Sequence, residues 1–87
     1  MQVAVWDTYV QKKNGITMHF DILVSADIKD EKTIHTFGRE YLRTKGEETQ
    51  PLSSKECRFC HIEKASEETI KHILQNGYYI FEMENCN

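Results

Sequence analysis

The chain has 87 residues, 39% of them apolar and 29% charged, with a net charge of −3. That length supplies a single domain, residues 1–87, with a lean core, because a chain this small buries only about two-thirds of its unfolded surface. Eleven Lys and Arg are interspersed with fourteen Asp and Glu, so no basic stripe exists to neutralise phosphates, which argues against nucleic acid as a partner.

The opening stretch Met1-Gln2-Val3-Ala4-Val5-Trp6-Asp7 has no basic region ahead of a long apolar segment. No apolar run approaches membrane-spanning length. These features predict a cytoplasmic protein with no membrane partner. Cys57, Cys60 and Cys86 are an odd set for a reducing compartment, which disfavours a disulfide framework.

Residues 2–10 and 16–24 are β-branched and aromatic runs separated by Gln11-Lys12-Lys13-Asn14-Gly15, which predicts a hairpin. A two-residue turn at Asn14-Gly15 pairs Tyr9 with Phe20, and a four-residue turn pairs Tyr9 with Met18. Either register puts Val3, Val5, Asp7 and Tyr9 on the face of Met18, Phe20, Ile22 and Val24. Trp6, Thr8 and Val10 then share the other face with His19, Asp21 and Leu23. Only a three-residue loop would reverse this.

Asp30 offers an N-cap, Glu31 suits a first turn and Gly46 a C-terminal stop, with Ile34, Phe37, Tyr41 and Leu42 as the stripe of a first helix. Gly38 costs about 1 kcal/mol relative to Ala in a helix, which close packing against the sheet would explain. Residues 47–52 form a loop. Ser53 and Glu56 have capping-box spacing, yet the segment 56–64 shows no helical stripe and is read as a strand. Ser66 caps a second helix with Ile70, Ile73 and Leu74 buried, and Asn76-Gly77 ends it. Residues 78–84 are a last strand, apolar on both faces and so predicted to lie inside the sheet. The order β-β-α-β-α-β defines an α+β, two-layer sandwich with an N-terminal hairpin. Both helices are expected on one sheet face, with a right-handed final crossover.

Cys57-Arg58-Phe59-Cys60-His61 concentrates the chemically versatile side chains. As C-x-x-C-H it matches covalent c-type haem attachment, which requires export and is disfavoured here. As C-x-x-C it is a candidate dithiol redox pair, although Phe59 and a strand do not supply the helix N-terminus that activates such pairs. As a metal site, Cys57, Cys60 and His61 offer three Zn²⁺ ligands, with His19 or Cys86 able to arrive as the fourth and His19 the preferred one. A regular strand sends residues i and i+3 to opposite faces, so this site needs a tight knuckle. Buried reduced thiols need no function at all. Thr8, His19 and Asp21 read as a solvated sheet face.

The blocks Val3-Ala4-Val5-Trp6-Asp7-Thr8-Tyr9-Val10, Met18-His19-Phe20-Asp21-Ile22 and the run from Gln50 through Cys57-Arg58-Phe59-Cys60-His61 to Glu63 carry a resemblance. They resemble a family of small bacterial proteins, domain of unknown function 2024. The resemblance implies a compact, bacterial, cytoplasmic α+β domain and brings no activity, cofactor or catalytic residue.

The residues therefore predict a small non-enzymatic cytoplasmic module whose Cys/His segment is structural or holds a metal. The alternative is a thiol-dependent redox protein using the C-x-x-C pair. With both helices on the Val5/Phe20 face, Trp6, Val10 and Leu23 would form an exposed patch, and a homodimer or protein partner is expected there.

Overall fold

The computed structural model describes residues 1–87. It runs β1 (Gln2–Gln11), β2 (Thr17–Ser25), α1 (Glu31–Thr44), β3 (Cys57–Lys64), α2 (Glu67–Asn76) and β4 (Tyr79–Glu84), the order read from the sequence. The strands form one sheet, β3-β1-β2-β4, with every neighbouring pair antiparallel. The hairpin strands are therefore central. β4 is an edge strand rather than an interior one, and Phe81 and Met83 on it are half exposed. β3 and β4 occupy opposite edges and run antiparallel, so the handedness rule for parallel crossovers does not govern the link between them.

The hairpin loop decides which side chains meet. Gly15 N–H donates to the Lys12 carbonyl at 2.9 Å and Lys12 N–H to the Ile16 carbonyl at 2.9 Å, closing a three-residue loop of Lys13, Asn14 and Gly15. Gly15 takes φ +87° while Asn14 stays at negative φ. A two-residue type I′ turn needs positive φ at both central positions, whereas a type I turn followed by a left-handed glycine needs it at one. Asp7 consequently pairs with Asp21, Tyr9 with His19 and Trp6 with Ile22. This is one residue away from either expected register, and with a side-chain period of two the slip turns all of β2 over relative to β1.

Ala4, Trp6, Thr8 and Val10 thus share a face with Met18, Phe20, Ile22 and Val24, while Val3, Val5, Asp7 and Tyr9 share the other with His19, Asp21 and Leu23. α1 covers the first face, where Ile34, Tyr41 and Leu42 join Trp6, Phe20 and Ile22 in the main core. α2 covers part of the second, where Ile73 closes over Val3, Val5 and Leu23. The helices lie on opposite faces, so the domain has three layers and not the two expected. The cause is in the strands: Val3-Ala4-Val5-Trp6 and Ile22-Leu23-Val24 are apolar without a break, and such strands bury both faces. Trp6, Val10 and Leu23 form no shared patch. Trp6 and Val10 belong to the main core on the α1 side of the sheet and Leu23 to the smaller core on the α2 side, all buried.

Asp30 caps α1 through Lys32 N–H and the Thr33 hydroxyl, and Gly46 at φ +71° ends it. A Cβ on Gly38 would lie 2.6 Å from Leu52 Cδ2 and 3.1 Å from Ile22 Cδ1, so its lost helix propensity is the cost of bringing helix, loop and sheet together. Ser66 caps α2 and Ile73 is its buried anchor, but Leu74 remains 72% exposed, contrary to the expected stripe. The Ser53–Glu56 spacing is used as a single turn: Glu56 Oε1 accepts from both Ser53 N–H and Ser53 Oγ, which holds its carboxyl below the usual range, and β3 follows directly.

Candidate functional site

α2 covers only one end of its sheet face. Beyond it, Arg58, Asp7, Asp21 and Phe81 stand in one row across the four strands, with Tyr9 and His19 paired two positions further along the hairpin. His19 Nε2 lies 2.6 Å from Asp7 Oδ1 and 3.9 Å from Asp21 Oδ1. One potential ligand atom from each of the three lies within 4.8 Å of the others. The Tyr9 ring stacks on the imidazole at 4.0 Å and 11°, which fixes the plane of the ring. The His19 and Asp21 side chains are only 14% and 19% exposed, and Asp7 is more open.

Like charges directly opposite in an antiparallel ladder are destabilising, and Asp7 faces Asp21 in that way. The carboxyl of Asp21 is pushed up to about 6, first by burial and then by its hydrogen bond to Asp7 and the charge there, with His19 and His61 opposing. Burial also raises the Tyr9 phenol, reinforced by Asp7, Asp21 and Glu84. Because the folded-state value for Asp21 lies above its ordinary 3.8, ionisation costs the fold. Its contribution to stability is complete below about pH 4 and is lost as pH rises through about 6. Asp21→Asn should accordingly match the parent near pH 4 and exceed it by about 1–2 kcal/mol at pH 7, after allowance for solvent screening. Urea melts of both proteins across that range measure the difference.

The Cys/His segment is not a knuckle. A bulge in β3 pairs Val5 with His61 and Trp6 with Phe59, leaving Cys60 as the extra residue. Cys57 pairs with Thr8 on the α1 side, where its thiol is buried, accepts from Thr8 Oγ1 at 3.4 Å and is pushed up by burial. His61 pairs with Val5 on the opposite face, and Cys60 is exposed beside it. Cys86 is buried, its thiol donating to the His19 carbonyl at 3.3 Å. Cys57, Cys60, His61 and His19 therefore do not converge on a Zn²⁺ ion, and Cys57 and Cys60 are not a facing dithiol pair. Of the four expected ligands, His19 alone belongs to a cluster of three possible donors. Its partners Asp7 and Asp21 fall on opposite faces in either register expected from the sequence and on one face in the observed register.

The fold and site define a small three-layer α+β domain with a carboxylate–imidazole cluster on the open half of a sheet face. Over residues 1–83 the sequence matches the family described as Domain of unknown function (DUF2024), and the chain belongs to that family. It is 49% identical to protein NE1680 from Nitrosomonas europaea, a Northeast Structural Genomics Consortium target solved by NMR. The match covers 100% of both chains at a TM-score of 0.87. No curated protein matches it. No helix is long and apolar enough to cross a membrane.

Proposed function

We propose that this chain is a small, non-enzymatic bacterial module that binds a first-row divalent metal ion, of the Zn²⁺ type, through Asp7, His19 and Asp21. The observation that carries the reading is the convergence of one imidazole nitrogen and two carboxylates within 4.8 Å. Two oxygen donors and one imidazole suit zinc, and three protein ligands leave a fourth coordination position for water. A cation also accounts for the placement of two like charges on facing positions, since it offsets the repulsion that a single imidazole can only share between them. Ligand atoms around tetrahedral zinc sit about 3.3 Å apart. Binding would therefore open the 2.6 Å His19–Asp7 contact and draw in Asp21 from 3.9 Å, which are small side-chain adjustments. Tyr9 acts as the outer support that orients the ligand ring. In this reading Cys57 is structural, and three unbridged thiols suit a reducing, cytoplasmic setting.

Isothermal titration with Zn²⁺ at pH 7 tests this. One ion per chain is expected for the parent, with affinity reduced at least tenfold in Asp21→Asn and lost in His19→Ala. Parent protein that takes up no zinc, or takes it up equally well without His19, contradicts the proposal.

A further inference from the structure

We propose that Cys60 is a nucleophilic monothiol, activated by His61 and Glu63, that forms mixed disulfides with low-molecular-weight disulfides of the glutathione type. The site shares no residue with the Asp7/His19/Asp21 cluster, although His61 stands near enough to Asp21 to oppose the rise of its carboxyl. His61 Nδ1 lies 3.1 Å from Cys60 Sγ, and His61 Nε2 lies 2.7 Å from Glu63 Oε1. A carboxylate accepts, so the contact to Glu63 takes an N–H at Nε2 and leaves Nδ1 as the ring nitrogen that faces the thiol. This is the arrangement of nucleophile, base and orienting acid that activates a thiol.

The arrangement depends on the bulge. Neighbouring residues on a regular strand point to opposite faces, and the extra residue in β3 re-aims Cys60 toward the side of His61. Glu63, two residues on and paired with Val3, returns to the face of His61. All three side chains are open to solvent, with His61 at 51% and Glu63 at 46%. The other two thiols are buried: Cys57 is 1% exposed and Cys86 8%.

The step balances without a further reagent. The Cys60 thiol gives its proton to His61 Nδ1 and the thiolate attacks one sulfur of the small disulfide. A new S–S bond forms as the old one breaks, and the leaving thiolate takes the proton back from the imidazolium. Cys60 is oxidised and the departing sulfur reduced. Cys57, buried on the other side of β3, cannot resolve the product, so the mixed disulfide accumulates and no internal Cys57–Cys60 bond forms.

Oxidised glutathione is the probe, with intact mass and peptide mapping as the readout on folded protein. One adduct per chain is expected, on Cys60, and none in Cys60→Ser. His61→Gln should slow its formation at least tenfold, because no imidazole nitrogen is then placed to take the thiol proton. Urea-unfolded parent and His61→Gln should react at the same rate, which separates activation by the fold from a change in the cysteine itself. Circular dichroism confirms that the exposed variants fold. An adduct that forms equally fast in folded His61→Gln, an unmodified Cys60, or an internal Cys57–Cys60 disulfide would overturn the proposal.

Discussion

Leu23→Asp should leave the domain unfolded at room temperature, whereas Leu74→Asp should shift its melting temperature by no more than a few degrees. Leu23 is 5% exposed and packs with Val3, Val5 and Ile73 beneath α2. Replacing it forfeits about 1.5–3 kcal/mol of burial and sets a carboxylate among aliphatic side chains, at a further cost of several kcal/mol. Domains of this kind hold only about 5–15 kcal/mol in total, and a small one sits low in that range. Leu74 lies on the same α2 helix yet is 72% exposed, and substitutions at such positions stay within about 0.5 kcal/mol. The pair separates a three-layer domain from a two-layer one, because in a two-layer sandwich Leu23 would be a surface residue that tolerates aspartate. Circular dichroism and a thermal melt of each variant decide it.

The second large effect links zinc to stability. A ligand that binds only the folded state at one hundred times its dissociation constant adds about 2.7 kcal/mol. In a chain of this length each kcal/mol moves the midpoint by about 4–8 °C, so saturating zinc should raise it by about 10–20 °C. The doubly substituted Asp7→Asn/Asp21→Asn protein should melt above the parent without metal, since the facing charges are gone, and should show no zinc shift. That inversion is the mark of a site that trades stability for binding. Cys60→Ser should keep the full shift, because Cys60 belongs to the other cluster. An equal zinc shift in parent and double variant would contradict the assignment.

Element order was legible in the sequence because each boundary carries its own chemistry. Asp30 and Ser66 cap the two helices as read, and Gly46 and Gly77 end them at positive φ. Register was not legible. Asn14-Gly15 permits a two-residue turn and equally a three-residue loop in which Gly15 alone is left-handed, and the choice rests on one φ angle at Asn14. That choice carried the site with it, moving His19 and Asp21 to the side of Asp7 and turning a solvated trio with Thr8 into a cluster of possible ligands. The layering is written in the composition of the strands: uninterrupted apolar runs in β1 and β2 require cover on both faces. The β3 bulge left none. Cys57, Phe59 and His61 alternate as a regular strand on paper, and only pairing with β1 shows that Cys60 is the extra residue.

The three-residue loop brings Asp7, His19 and Asp21 together, and the proposal is that zinc binds there. Anomalous diffraction at the zinc edge, from crystals of the parent grown with Zn²⁺, tests it most directly. A peak is expected about 2.0–2.2 Å from His19 Nε2 and from one oxygen each of Asp7 and Asp21. A peak on Cys60, His61 or Glu63 with none at His19, or no peak at all, would contradict it.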